Sequence, residues 1–214
     1  MEGQLKQYLL QNLPPVDEWV IELEKQAVKD HVPIMDKISM NFLMQLVSIC
    51  KPRKILEIGT AIGYSTLRMF EAYPNTSIVT IEKDKYRYNH AVKNINRLQK
   101  QDHIKVICGD AIGEMAKLVL NNEDFDFIFI DAAKGEYQQY FKQACSLLSN
   151  DGLIVSDNIL FRGYVADVKV PPPKYKKMVE KIRAYNDWLV KLPDFTTTLV
   201  PIGDGLAISR KIKE

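Results

Sequence analysis

From Lys54 to Ala72 the chain reads as an apolar run, a glycine-bearing turn and a helix in immediate succession, an order few folds accommodate. Ile55, Leu56 and Ile58 make the run, with one acid, Glu57, inside it. Gly59 and Gly63 interrupt it, and Leu67, Met69, Phe70 and Ala72 then recur at helical spacing. A buried strand feeding a helix through glycines places helix N–H groups just beyond the strand's carboxyl end, where open α/β sheets bind ligands.

The pattern repeats along the chain. Short β-type runs at 55–58, 77–81, 104–108, 125–130 and 153–156 alternate with helical periodicity near 64–73, 85–99, 111–120 and 135–148. Gly152 marks the turn into the fifth run. Repeats of this length imply right-handed crossovers and a mainly parallel sheet covered on both faces. Beyond Ser156 a long loop runs through Arg162-Gly163-Tyr164 to Pro171-Pro172-Pro173, and a helix follows at about 174–190. Two last strands, near 195–201 and 205–211, flank Gly203-Asp204-Gly205, a hairpin signal that makes them an antiparallel pair. The first 50 residues read as helices. Leu5, Tyr8, Leu9 and Leu13 share a face up to Pro14-Pro15, Asp17 is placed to cap a helix carrying Trp19, Val20, Leu23 and Ala27, and Ser39 to cap one carrying Phe42, Leu43, Leu46 and Val47. The expectation is an α/β, Rossmann-like fold: a seven-stranded, mainly parallel sheet with a C-terminal antiparallel hairpin. It is read as one domain over 1–214, with helices in 1–50 as a cover and 53–214 as the α/β core.

Composition narrows the functional classes. A net charge of +2 on 214 residues is too weak to argue for nucleic acid by itself. Cys50, Cys108 and Cys145 are widely spaced, odd in number and set among apolar residues, which reads as reduced core cysteines. No apolar run approaches the roughly 20 residues of a membrane span, and the N-terminus lacks the pattern of a signal peptide. The expectation is a soluble, cytoplasmic protein.

Gly-x-x-x-Gly after a strand is neither the Gly-x-Gly-x-x-Gly of dinucleotide folds nor a phosphate loop. Glu57, at the sheet's carboxyl edge, suits a cationic or amine-bearing ligand better than a phosphate. Glu82 ends the second strand, where an acid can accept both hydroxyls of a ribose. Gly109-Asp110-Ala111 ends the third, where a carboxylate can accept an adenine amino group. Each acid alone reads as a cap or turn residue; together they fit S-adenosylmethionine. Asp131 ends the fourth strand and Asp157-Asn158 the fifth. If those strands are neighbours, two carboxylates and an amide carbonyl converge into a hard oxygen site suited to Mg²⁺, although a single Asp after a strand is commonly a cap. Lys134, three residues past Asp131, would lie near the same ion, and a lysine beside a dication is pushed toward the neutral form that can take a proton.

These residues resemble the Mg²⁺-dependent catechol and caffeoyl-CoA type O-methyltransferases. The matching pieces are Glu57-Ile-Gly59-Thr-Ala-Ile-Gly63-Tyr64-Ser65, Glu82, Gly109-Asp110-Ala111, Asp131-Ala-Ala-Lys134, Asp157-Asn158 and Pro201-Ile-Gly-Asp-Gly-Leu206. The resemblance runs from about Val32 to the C-terminus. It implies that Glu57, Gly59 and Ser65 hold the methionine moiety, that Glu82 binds the ribose, and that Asp110 and Ala111 flank the adenine. Gly63 and Tyr64 belong to the same cofactor loop, Met35 matches a position near the methionine end, and Asp131 borders both cofactor and metal. Asp131, Asp157 and Asn158 would ligate Mg²⁺, and Lys134 would act as the base. The same likeness makes the N-terminal helices a cover over the cofactor and part of a homodimer interface. The chain departs from the family at Ser39-Met40-Asn41, where plant enzymes read Glu-Gly-Gln, and at Ala133, where catechol enzymes place an aromatic gate.

The acceptor must offer two vicinal oxygens. A compact chain with an open pocket at Ala133 looks similar to the bacterial tRNA 5-hydroxyuridine methyltransferases of this family. Lys169, Lys174, Lys176 and Lys177 with Arg162, Tyr164 and Tyr175 supply cations and aromatics that could hold phosphates and stack bases. The wobble uridine of tRNA is therefore the first expectation, a small catechol-like or caffeoyl phenol the second. The same lysines also read as a solvated face. An inactive adenosylmethionine-binding module would not require the set Asp131, Lys134, Asp157 and Asn158. A dehydrogenase is disfavoured by the glycine spacing and by histidines confined to His31, His90 and His103.

Overall fold

The computed structural model describes residues 3–168 and 170–212. Its seven strands form one mixed sheet, mostly parallel, that ends in an antiparallel pair, as the periodicity predicts. The chain divides into two compact units after Ala111.

The first unit begins with α1 (Gly3–Gln11), α2 (Glu18–Lys29) and α3 (Lys37–Cys50). It continues as β1 (Lys54–Ile58), α4 (Tyr64–Ala72), β2 (Ser77–Glu82), α5 (Lys85–Arg97) and β3 (Ile104–Cys108). β2 lies between β1 and β3 and pairs parallel with both. Ile55, Leu56 and Ile58 have no exposed surface, the continuous apolar burial of a parallel strand covered on both faces. Val20 and Leu23 of α2 and Leu43 and Val47 of α3 are equally enclosed, and both helices pack on α4. No residue of α1 is buried. Asp17 precedes α2 without a side-chain cap. The cap of α3 is Asp36 rather than Ser39: its carboxylate accepts the N–H groups of Ile38 (3.1 Å) and Ser39 (3.3 Å), and Ser39 lies buried inside the helix.

The second unit carries α6 (Ala111–Leu120), β4 (Phe125–Ile130), α7 (Tyr137–Leu147), β5 (Leu148–Ser156), α8 (Lys176–Leu189), β6 (Phe195–Val200) and β7 (Leu206–Lys211). β5 pairs parallel with β4 and antiparallel with β7, which in turn pairs with β6. β5 begins earlier than expected, and Gly152 lies inside it. The register shifts between Phe125 and Phe127, and Gly152 sits where a Cβ would come within 2.6 Å of the Leu148 side chain. Phe125, Phe127 and Phe129 of β4 are fully buried, and Phe141 of α7 meets Tyr185, Trp188 and Phe195 edge-on at 6.3, 5.5 and 5.1 Å. Edge-to-face clusters add about 0.5–1.5 kcal/mol per pair beyond their burial, so this aromatic knot anchors α7 and α8.

The cysteines are not core residues. Cys50 and Cys108 are exposed and Cys145 is half-buried. Cys50 ends α3, and Cys108 ends the outermost parallel strand, where Val106 and Ile107 are only partly covered. Among the described residues no helix is long and apolar enough to cross a membrane.

Candidate active site

The glycine turn after β1 is held by its own backbone. Gly59 N–H donates to Ile81 O at 3.0 Å, extending the β1–β2 ladder by one residue, and Gly63 N–H closes the turn on Thr60 O at 2.8 Å. Gly63 caps α4 at φ +87°, a conformation open to glycine at little cost, and has no side chain with which to occupy the first N–H groups of the helix. Met35 is buried just before the Asp36 cap.

Glu57 has no exposed surface. Its carboxylate accepts the hydroxyls of Ser65 (2.5 Å), Thr66 and Thr80 (2.6 Å), and Thr80 is also bonded to Thr60 at 2.6 Å. A buried carboxylate persists where donors replace its water, and here the donors come from β2 and the first turn of α4. Glu57 therefore aims Ser65 and fixes the helix start. Glu82 is buried too, accepting Ala61 N–H and Asp84 N–H, each at 2.8 Å, one on each oxygen. An ionised carboxylate has about four lone-pair sites, so acceptor capacity remains. Asp110 is exposed and ion-paired with Lys83 at 3.0 Å, while Ala111 is buried at the start of α6. Tyr64 is turned to α2, its hydroxyl donating to Glu24 at 3.2 Å; burial first, then the Glu24 charge, pushes its phenol well up. Sequence reasoning missed Asn94 of α5. Its buried amide donates to Ile62 O inside the turn at 2.9 Å and to Gln26 of α2 at 3.3 Å. A polar residue on the inward face of an otherwise amphipathic helix was the available signal.

In the second unit β4 and β5 are in register to their last pair, Ile130 with Ser156, and Asp157 N–H continues the ladder onto Ile130 O at 3.0 Å. Asp131 and Asp157 thus leave adjacent strands side by side. Asp157 is 2% exposed. Burial raises both carboxyls; the neighbouring Asp131 charge raises Asp157 further, and Lys134 pulls both down. Asp157 accepts Asn158 N–H at 2.6 Å, and Asn158 itself sits at φ +59°, a left-handed conformation that Asn tolerates. Lys134, in a 3₁₀ turn before α7, donates its Nζ to Asn158 Oδ1. Tyr137, also unforeseen, is buried beneath and donates to Asp157 O at 2.9 Å. Among the described residues no three His, Cys, Asp or Glu side chains cluster, and the oxygens on offer at these strand ends are two carboxylates and the Asn158 amide. Hard oxygens with excess negative charge fit a divalent cation such as Mg²⁺.

The residues expected at the acceptor are brought together only in part. Phe161, Tyr164 and Tyr175 stack on one another with centroids 5.3 to 6.3 Å apart over buried Val165, Val179 and Ile182. Tyr164 and Tyr175 are half-buried, so these rings are largely engaged with each other. Arg162 is exposed, with its guanidinium 5.7 Å from the Phe161 ring, and Lys174 lies 4.9 Å from Tyr175. Lys176 and Lys177 are exposed on the first turn of α8. Lys169 lies outside the described residues. The residue that ties this loop down, Arg183 of α8, was not foreseen: it donates to Val165 O (2.8 Å) and Tyr164 O (3.0 Å) and pairs with Asp167.

Comparison with known proteins places the chain in a family. The chain is 37% identical over 150 residues to a catechol O-methyltransferase of Niastella koreensis, spanning 69% of this chain and 66% of that one. It is 30% identical to a caffeoyl-CoA O-methyltransferase of Populus kitakamiensis, over 97% of this chain and 93% of the other. The crystal structure of an O-methyltransferase from Bacillus cereus in complex with SAH superposes with a TM-score of 0.84 at 29% identity, covering 98% of this chain and 97% of that one. The model of the O-methyltransferase family matches residues 15–212, and the chain belongs to that family.

Proposed function

We propose that this O-methyltransferase moves the methyl group of S-adenosylmethionine to one of two adjacent oxygens on a small catechol-like or caffeoyl phenol, with Mg²⁺ at the Asp131–Asp157 pair. The observation that carries the reading is that pair: buried Asp157 and half-buried Asp131 leaving adjacent strand ends, with Lys134 Nζ on the amide oxygen of Asn158.

The cofactor residues are Met35, Gly59, Gly63, Tyr64 and Ser65 around the glycine turn, Glu82 for the ribose, and Asp110 and Ala111 for the adenine. Glu57 serves the methionine end through Ser65, whose hydroxyl it orients, and Asp131 borders the methyl-bearing end. Asp131, Asp157 and Asn158 hold the metal. A bound Mg²⁺ would supply charge neutralisation for the reacting phenol oxygen. The chain's own part is to bring the acceptor into line, exclude water and take the hydroxyl proton on Lys134 Nζ. Lys134→Met should lower turnover by about 10²- to 10⁴-fold, the usual contribution of a positioned base, with SAH affinity little changed.

The tRNA 5-hydroxyuridine read first from the sequence gives way to the phenol. The relatives are named for catechol and caffeoyl-CoA; of the residues invoked for tRNA, Arg162, Lys174, Lys176 and Lys177 are exposed while Tyr164 and Tyr175 are half-buried against each other and Phe161. The test is methyl transfer from labelled S-adenosylmethionine, with Mg²⁺, to caffeic acid and to 5-hydroxyuridine-bearing tRNA in parallel. Label in the phenol, unaffected by changing Lys174, Lys176 and Lys177 to Glu, supports the proposal. Label in tRNA that is lost in the triple variant overturns it.

A further inference from the structure

The hairpin turn between β6 and β7 grips the segment that carries the metal residues. Four successive N–H groups beyond Asn158 end on two residues of that turn. Ile159 donates to Gly205 O (3.1 Å), Leu160 and Phe161 donate to Asp204 O (2.8 and 3.1 Å), and Arg162 donates to Asp204 Oδ1 (3.3 Å). From the opposite side Asn186 of α8, itself buried, donates to Ile159 O at 2.9 Å.

The gripped segment is strained. Asn158, Phe161 and Arg162 all stand at positive φ, 59°, 34° and 57°. Such residues persist only where the surroundings over-determine them, and they gather at functional sites. The turn is also fitted closely: Gly205 is at φ +87°, and a Cβ there would lie 2.5 Å from Leu160 Cγ.

We infer that Asp204 and Gly205 are positioning residues for the metal site. By clamping residues 159–162 they hold Asn158 in its left-handed conformation, so that Oδ1 faces Lys134 and stands beside the Asp131–Asp157 pair. The inference rests on the proposed metal site. Supports of this kind outside the ligand set are worth about 10- to 100-fold in metal affinity.

The test is Mn²⁺ binding followed by electron paramagnetic resonance, with SAH binding and thermal unfolding measured on the same samples. Gly205→Ala should weaken Mn²⁺ by about ten-fold or more while SAH affinity stays within about two-fold. Adding Leu160→Ala should recover part of the loss, because it removes the atoms the new methyl meets. Folded Gly205→Ala that binds Mn²⁺ like wild type overturns the inference. Should that variant not fold, Asp204→Ala keeps every backbone bond, removes the acceptor for Arg162 and should weaken Mn²⁺ about three-fold or more; unchanged affinity there overturns the inference as well. Wild-type protein that takes up no Mn²⁺ overturns the metal reading itself, an outcome distinct from failure of the clamp, which leaves wild-type binding intact.

Discussion

Glu57 and Glu82 of the first unit and Asp157 of the second are buried and Asp131 is half-buried, yet the two sets of acids have different partners. Glu57 and Glu82 are enclosed among the protein's own donors: three hydroxyls on the one, two backbone N–H groups on the other. Asp131 and Asp157 leave adjacent strand ends, and burial raises both carboxyls, with the Asp131 charge raising Asp157 further and Lys134 offsetting only part. In the first arrangement the protein itself supplies the donors, which makes Glu57 a scaffold and leaves Glu82 acceptor capacity to spare. The second holds unbalanced negative charge, which is costly unless a cation joins it. The same residue type at the carboxyl end of a strand therefore does two jobs, and what separates them is who supplies the counter-charge.

The strongest way to break this contrast is to delete one acid from each unit. Asp157→Ala should remove several kcal/mol of transition-state stabilisation, on the order of 1,000-fold in Mg²⁺-dependent turnover, with SAH affinity held within a few-fold. Equal loss of SAH binding would mean that Asp157 serves the cofactor instead. Glu57→Ala should act on the fold. Three enclosed hydroxyls lose their acceptor, at about 3–5 kcal/mol together, lowering Tm by roughly 10 °C as read by calorimetry. A Glu57 variant with native Tm and lost SAH binding would reverse that assignment and make the carboxylate a direct cofactor ligand.

The contrast also explains what was legible in the sequence. The strands were readable because parallel strands are apolar throughout: Phe125–Ile130 and Ile104–Cys108 fall where the periodicity puts them. Asp131 and Asp157 were readable because strand ends fix where their backbones point. Who satisfies an acid was not readable. The donors to Glu57 are Ser65 and Thr66 across the glycine turn and Thr80 on the next strand, all ordinary as residue types. Cap identity failed locally, since Asp36 and Ser39 are both good N-caps and only the observed backbone at Asp36 decides between them. The cysteines misled because apolar neighbours in sequence do not bury a residue on an outer strand or at a helix end. Asn94 and Arg183 act largely through backbone carbonyls, and Asp204, although part of the hairpin signal, reaches residues 160–162 through contacts the sequence does not display.

A smaller effect sharpens the first unit's side of the comparison. Asn94→Leu keeps the volume but leaves Ile62 O without its side-chain donor, a loss of about 1–3 kcal/mol for a buried group. Part of that should appear as an SAH affinity roughly ten-fold weaker by calorimetric titration, since 1.4 kcal/mol corresponds to a factor of ten. Mn²⁺ affinity should not move. A variant with native SAH affinity would show that the turn keeps its shape without α5, and would leave Glu57 as its main support.

The smallest expected effect has the most informative sign. Asp157→Asn preserves shape and removes one of the two facing carboxylates. In EDTA the variant should be more stable than wild type by roughly 1 kcal/mol, because replacing uncompensated buried charge is neutral to stabilising. With saturating Mg²⁺ the order should invert, because wild type gains the binding energy of the ion and the variant gains little. Thermal unfolding of both proteins in both buffers reads the four values directly. If Asp157→Asn is less stable than wild type even in EDTA, the carboxylate pair is already balanced within the protein, and the second unit is then built like the first.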